Sequence, residues 1–391
     1  MGTFKFQIIT DLSVSVESYS RIRSVYAKLN NMFFKYEDEV VGTLMATLSR
    51  ENYLLIGPPG TAKTTLVYAL SKLLNARWFY RQLTKFTDLE EILGPINIAK
   101  LLDGKIERIY TNSIVESEFA LLDEIFNASS AILNTLLSIL NERVVYDGEK
   151  VVPVKTWTVF GASNRIPDEE ELQALYDRFP IRVFTEWVSP DDTEPLIVKG
   201  WELRMDLERI EPLATMDDVQ VVNKVITQYV YDHIKDISKV ISPIISNYVE
   251  HIPISNRTRV KVPMYVTTYL LLHGIDIGRT ELTPALLRVG TIKVLKYLVS
   301  NKDQLSEYNS FATVHMPEDL LRLSELLSEA KALINNEVYD EARQRINDAR
   351  ELLNQIRSKW DNVMVRLYTE EINEMEELLK RLEEALNIGR R

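Results

Sequence analysis

At 391 residues, 46% of them hydrophobic, the chain is long enough to bury a sizeable core and to divide into two or three domains. Its formal net charge of −11 argues against general nucleic-acid binding, which needs clustered Lys and Arg to displace counterions from phosphates. With no cysteine and four scattered histidines (His233, His251, His273 and His315), it offers no disulfide framework, no thiolate nucleophile and no transition-metal spacing, which fits a reducing cytoplasm.

Residues 1–30 read as a short β-prone stretch (Phe4, Phe6, Ile8, Ile9) leading into a helix, with no legible chemistry. From residue 31 to 188, strands expected near 53–56, 78–83, 118–122, 157–162 and 181–184 alternate with helical segments. That alternation predicts a three-layer α/β core around a parallel sheet. The first strand, Tyr53-Leu54-Leu55-Ile56, runs into Gly57-Pro58-Pro59-Gly60-Thr61-Ala62-Lys63-Thr64-Thr65 and then an apolar helix start. A strand, a glycine-rich turn and a helix N-terminus make a phosphate cradle: backbone amides and the helix dipole face the phosphates, Lys63 adds a point charge, and the Thr64 hydroxyl suits Mg2+. Ala62 stands where GxxxxGK[ST] normally has its last glycine. At a helix onset a negative φ is expected, and there a Cβ fits.

Two segments, Lys100 to Ile109 and Val144 to Val152, each place Asp-Gly between β-favouring residues and read as hairpins. Between them, Glu118-Phe119-Ala120-Leu121-Leu122-Asp123-Glu124 is an apolar strand delivering two carboxylates at its C-terminal end, where open α/β sheets bind ligands. Asp123 is the candidate for the magnesium shell, and Glu124 for polarising the attacking water. Alone, the pair would read as an acidic helix cap; behind a phosphate loop the catalytic reading prevails. Trp157 to Asn164 is a further buried strand ending in an amide that can orient the same water, although a turn before Pro167 would also use Asn164.

Ser189-Pro190-Asp191-Asp192 marks a boundary, after which residues 189–300 are expected to form a helical lid. The most apolar segment there, Val262 to Ile275, is broken by Thr267, Thr268 and His273 and is too short to span a bilayer, so no membrane span is expected. Residues 301–391 carry helical stripes (Leu320, Leu323, Leu327, Ala330; Ala342, Ile346, Ala349, Leu353; Met375, Leu379, Leu382), with a fold-back at Asn335-Asn336 and a break near Thr369. A helical hairpin or three-helix bundle buries those stripes within the chain. The acidic run Glu370, Glu371, Glu374, Glu376 and Glu377 reads as a solvated face.

GPPGTAKT, the Asp123-Glu124 strand continuing through Ile125-Phe126-Asn127, the run Leu140-Asn141-Glu142-Arg143, then Gly161-Ala162-Ser163-Asn164 and Tyr176-Asp177-Arg178-Phe179 together resemble the MoxR branch of the AAA+ ATPases, its RavA-like group in particular. The resemblance implies a cytoplasmic homo-oligomeric ring, usually of six, with ATP and Mg2+ between neighbours. It further implies a role in remodelling or maturing protein complexes, often with a von Willebrand A partner. On matching positions, Arg178 corresponds to the arginine finger that reaches a neighbour's γ-phosphate, ahead of Arg143 and against the plainer reading of a surface pair with Asp177. Arg257 resembles the lid arginine that touches nucleotide within its own subunit. It departs from the family in having Asn256 before it where Pro is common, and Arg259 is a rival. The two hairpin inserts would face the pore or substrate, with Lys105 and Glu149 at their tips. ATP is favoured over GTP because Asn223-Lys224 is followed by Val225-Ile226, which is no guanine-reading motif. Two other functions fit a phosphate loop: a nucleic-acid motor or loader, and a scaffold that binds ATP with little turnover.

Overall fold

The computed structural model describes residues 12–388 apart from 103, 106, 148, 149, 168, 169, 276 and 278–281. The β-prone start and Glu149 therefore lie outside the described residues.

Strands β1 (Tyr53–Ile56), β2 (Trp78–Gln82), β3 (Phe119–Asp123), β6 (Thr158–Ser163) and β7 (Ile181–Phe184) form one sheet in the order β2-β3-β6-β1-β7, while β4 (Val144–Asp147) and β5 (Lys150–Pro153) make a separate antiparallel ribbon. All pairings within the larger sheet are parallel. β1 and β6 are buried along their whole length. This is why they read as unbroken apolar runs rather than as alternation. Successive side chains still part to opposite faces: Tyr53, Leu55, Phe119, Leu121 and Phe160 enter one core, Leu54, Ile56, Ala120, Leu122 and Val159 the other. Helices Glu37–Ser49 and Lys63–Leu73 cover the first face, and helix Ser130–Glu142 covers the second through Ile132, Leu136 and Ile139.

The helices after β7 (Thr193–Glu208, Met216–His251, Asn256–Leu272 and Pro284–Leu295) do not form a core of their own. Val219, Ile241, Val262, Val266 and Leu295 join the same apolar cluster as Tyr53 and Leu55. Helix Leu12–Met32 packs on Met216–His251, whose start is fixed by a capping box between Thr215 and Asp218. Asp218 also accepts the Ser18 hydroxyl at 2.7 Å, tying the first helix to that cap. Among the described residues no helix is long and apolar enough to cross a membrane.

At the C-terminus, helices Glu318–Asn335, Tyr339–Lys359 and Thr369–Ile388 pack on one another, with the short helix Asn362–Leu367 between the last two. The fold-back falls at Asn336-Glu337, with Glu337 at φ 62°. The acidic run is not simply a solvated face, since Glu371 pairs with Lys293 and Glu376 with Arg357. The helical stripe fixes which residues face the bundle, but the ion pairs depend on which neighbouring element lies alongside.

Among its described residues, the segment Lys100 to Ile109 does not pair as a hairpin. It contains the C-terminal part of a one-turn helix, Ile98–Leu102, started by Asn97 Oδ1 accepting from Lys100 N at 3.3 Å, and an isolated bridge joins Ile96 to Arg108. Gly104, at φ 71°, closes this helix: Gly104 N and Lys105 N donate to Leu101 O and Lys100 O. A positive-φ glycine serves a helix end as readily as a hairpin turn. Val144 to Val152, by contrast, does pair as a ribbon.

Glu39, in the first turn of helix Glu37–Ser49, is buried, and burial, followed by the charge of Asp38, pushes its carboxyl up to about 8. A carboxyl in an unfolded chain titrates near 4.3. Between these values the native state holds the extra proton, so this group lowers stability progressively as pH rises through that window. Glu39→Gln is therefore expected to stabilise the fold at pH 8 by about 2–4 kcal/mol, and hardly at all near pH 4.5. Urea melts at both pH values test this; equal effects at the two would show that Glu39 ionises freely in the fold.

Candidate active site

The loop after β1 is held where backbones come closest. Gly57 N donates to Ser163 O at 2.9 Å, and a Cβ on Gly57 would lie 2.1 Å from Thr185 Oγ1, so only glycine fits. Gly60 takes φ 82° and Ala62 φ 63°. Ala62 thus departs from the negative φ expected of it. Residue 62 still belongs to the reversal that turns the amides inward, and the helix begins only at Lys63. Alanine in this left-handed conformation costs about 1 kcal/mol over glycine. Thr61 anchors the turn, its Oγ1 lying 3.0 Å from Pro58 O and 2.9 Å from Thr185 Oγ1, and its carbonyl accepting from the Tyr36 hydroxyl.

Lys63 Nζ donates to the Gly57 and Pro58 carbonyls, each at 2.8 Å. Burial pushes its ammonium pKa down, while Asp123 and Glu124 pull it back, so the loop lysine faces the carboxylates at the end of β3. Thr64 and Thr65 follow in the first helical turn. Trp187 donates from Nε1 to Pro59 O at 3.2 Å while 71% exposed, an aromatic at the rim of the loop.

Asp123 accepts from Glu124 N at 3.0 Å through Oδ1 and from the Tyr80 hydroxyl at 3.4 Å through Oδ2. Glu124 sits at φ 51°, a turn that leaves the strand direction. Its Oε1 accepts from Asn164 Nδ2, and its Oε2 accepts from Asn127 Nδ2 at 3.3 Å. Residues 124 and 164 meet because β3 and β6 are neighbours in register, Leu122 opposite Gly161. The arrangement can hold a carboxylate in fixed orientation beside a phosphate cradle, as water activation requires. Tyr80 and Asn127 have no motif of their own. Asn127 lies three residues past Glu124, within reach of a local reading, but Tyr80 reaches Asp123 only because β2 pairs with β3.

The predicted arginines lie elsewhere. Asn52, just before β1, donates to Leu140 O at 3.2 Å and Arg178 O at 2.9 Å, and accepts from Arg143 Nη2 at 2.9 Å. Lys261 pairs with Glu51 at 2.7 Å. Burial raises the Glu51 carboxyl, and Lys261, Arg143 and Arg257 pull it back. Burial and then the charge of Arg257 lower the Arg178 guanidinium, and burial with Arg50 brings Arg143 down to about 10. Arg143, Arg178 and Arg257 therefore gather at the N-terminal edge of the sheet. The phosphate loop lies at its C-terminal edge, about 13 Å away along β1 at ~3.3 Å per residue. Arg178 pairs with Asp177 at 3.3 Å and keeps 22% of its side chain exposed. Arg257, expected to touch nucleotide within its own subunit, lies at the start of helix Asn256–Leu272, which packs on helix Glu37–Ser49, and its charge acts on Arg178 and Glu51. The rival Arg259 donates from Nε to Ile254 O at 2.9 Å.

Residues 20–224 match the family model of the MoxR domain in MoxR-vWA-beta-propeller ternary systems. The chain is similar to two uncharacterised proteins of Methanocaldococcus jannaschii. It is 31% identical to MJ0079 over 265 residues (66% of this chain, 67% of that one) and 34% identical to MJ0812 over 256 residues (65% and 66%). A shorter stretch of 121 residues is 32% identical to the ATPase subunit HslU of an ATP-dependent protease from Bradyrhizobium diazoefficiens, covering 28% of this chain and 27% of that one. A crystal structure of a candidate ATPase from Cytophaga hutchinsonii shares the fold, with a TM-score of 0.56 and 17% identity over 75% of this chain and 92% of its own.

Proposed function

Because this chain belongs to the MoxR family of AAA+ ATPases, we propose that it hydrolyses ATP at a site shared between two copies in a ring, six in the usual arrangement, and uses the motion to remodel a protein complex. The observation that carries this is the division of the site. The loop, Lys63 and the Glu124–Asn164 pair stand at one edge of the sheet, and Arg143, Arg178 and Arg257 at the other.

In this reading Gly57 to Thr65 wrap the phosphates with backbone amides, and Lys63 leaves the Gly57 and Pro58 carbonyls to neutralise the outer ones. Glu124 accepts a proton-bearing water's hydrogen bond and Asn164 holds that carboxylate in place. Arg178 gives up its weak pair with Asp177 for the neighbour's γ-phosphate, and Arg257 accompanies it across the same boundary. Thr64 and Asp123 supply the hydroxyl and carboxylate oxygens that Mg2+ prefers, and would hold it beside the phosphates, where it supplies charge neutralisation. Residues 31–188 are then the nucleotide-binding core, 189–300 the lid, 301–391 a helical appendage and 1–30 an extension. The partner named in the matching family, a von Willebrand A protein, is the first client to try.

Steady-state ATPase across protein concentration, with mass by light scattering with and without ATP, tests the proposal. Activity should rise with assembly; turnover independent of concentration in a monomer would overturn it. Lys63→Ala is expected to weaken ATP binding by at least about tenfold, since it deletes a charge-assisted contact worth about 1.5–3 kcal/mol. Calorimetric titration with ATP reads this directly.

A further inference from the structure

Arg178 has little to hold its own side chain. One guanidinium nitrogen, Nη1, meets Asp177 at 3.3 Å, and Nε is buried with no hydrogen-bond partner among the described residues. The backbone is better fixed. Arg178 N donates to Leu175 O at 3.0 Å and Phe179 N to Tyr176 O at 3.1 Å, closing the turn after helix Glu170–Tyr176, and the Arg178 carbonyl accepts from Asn52 Nδ2 at 2.9 Å. Where the guanidinium starts from is therefore decided by what pins this turn.

Asn52 is 3% exposed, and its whole amide is used. Nδ2 donates to Arg178 O and to Leu140 O, and Oδ1 accepts from Arg143 Nη2 at 2.9 Å. Two carbonyls and a guanidinium admit one orientation of the amide, since each carbonyl needs a donor and the guanidinium needs an acceptor. The bond to Leu140 O satisfies a carbonyl in the last turn of helix Ser130–Glu142, beyond the reach of that helix's own amides. That bond alone would make Asn52 an element of the fold; the bond to Arg178 O is the one that reaches the site. Tyr53 lies opposite Ile181, which brings the turn before β7 alongside residue 52, and the other end of the same buried strand passes into Gly57. Strand β1 thus carries the phosphate loop at one end and the pin of Arg178 at the other.

We infer that Asn52 is a positioning residue for Arg178: by holding the Arg178 carbonyl it sets the reach of the guanidinium toward the neighbour's nucleotide. The inference rests on the shared-site reading above. It assigns Asn52 to the half of the site that a chain lends to its neighbour, not to the half it uses itself. The effect is one of placement, and a misplacement of about 1 Å at a reacting group can cost about 10²-fold in rate.

Asn52→Ala is expected to lower ATP turnover by about 10–10²-fold, with ATP affinity by calorimetric titration and assembly by light scattering both unchanged. Asn52→Asp keeps the size and the acceptor for Arg143 but, ionised beside that guanidinium, loses both donors, and should show the same loss. Normal turnover in the aspartate variant would show that the bond to Arg178 O does not matter and would overturn the inference. Mixing experiments decide which half of the site Asn52 serves. Asn52→Ala mixed with Lys63→Ala should recover part of the rate, because the first keeps its loop and the second its arginine. Asn52→Ala mixed with Arg178→Ala should give no more than the average of the two alone, because both lend a defective arginine. The reverse pattern would mean that Asn52 acts along β1 on its own phosphate loop. Recovery in neither mixture, where Arg178→Ala with Lys63→Ala does recover, would mean that Asn52 only seals the fold; either result overturns the inference. If Arg178→Ala loses turnover while Asn52→Ala keeps it, the positioning role is wrong and the shared site stands. If Arg178→Ala turns over ATP normally, both fall.

Discussion

Replacing Arg178 with alanine is expected to lower ATP turnover by about 10³–10⁵-fold, or roughly 4–7 kcal/mol of barrier, and to leave ATP affinity unchanged. The separation of effects follows from geometry. Arg178 lies at the N-terminal edge of the sheet with Asn52 and Asp177, across β1 from the phosphate loop of its own chain, so deleting it removes nothing that this chain's nucleotide touches. It would remove the planar, always charged fork offered to the neighbour's transferring phosphoryl. The cost to the fold is small, because the pair with Asp177 is partly exposed and such pairs are worth about 0–1 kcal/mol. Calorimetry for affinity and steady-state turnover for rate separate the two quantities. Mixing Arg178→Ala with Lys63→Ala supplies a further check: the first keeps an intact loop, the second an intact arginine, and their shared boundary should recover part of the rate. Normal turnover in Arg178→Ala would exclude this residue, and Arg143 would be the next arginine to replace.

Glu124→Gln is expected to bind ATP as well as the wild type and to hydrolyse it about 10²–10⁴-fold more slowly, so that ATP remains trapped. The glutamine amide can still accept the Asn164 hydrogen bond through its oxygen. Its other end becomes a donor, however, where Glu124 Oε2 accepts from Asn127 Nδ2 at 3.3 Å. One hydrogen bond survives, one must reorient, and the base is gone. Single-turnover chemistry with labelled ATP, followed by analysis of the retained nucleotide, reads the effect. Retained ADP in place of ATP would show that another group activates the water. Asn164→Ala should give a milder loss than Glu124→Gln, because Asn164 orients the carboxylate rather than replacing it.

The two expectations differ in how far the sequence carries them. Glu124 stands at the end of an apolar run behind a phosphate loop, and both patterns are local: buried parallel strands need unbroken apolar residues, and a cradle needs glycine where backbones meet, as Gly57 does against Thr185. Asn164 required one more step, that the strand carrying it lie next to β3. The orientation of Arg257 could not be read at all. Its position along the chain says lid, and its neighbours, Arg178 and Glu51, come from segments roughly 80 and 200 residues away. Ala62 and Gly104 mislead for a related reason. A residue's type states which φ values are cheap, but not whether the surrounding loop demands φ 63° of an alanine or uses a glycine to end a helix rather than to turn a hairpin.

By itself the sequence determined the strands of the core, the glycine-rich loop that runs into Lys63, the carboxylate pair that closes β3, and the mostly helical character of the described residues after Ser189, because each is written in residue patterns a few positions long. Tertiary structure alone decided that the helices after β7 share one apolar cluster with the sheet and that Tyr80 and Asn127 brace the carboxylates. It alone decided, too, that the arginines stand at the edge opposite the loop. Strand order and helix docking set these relations, through the burial of side chains drawn from the whole chain, and no local pattern encodes which distant segments that burial will bring together.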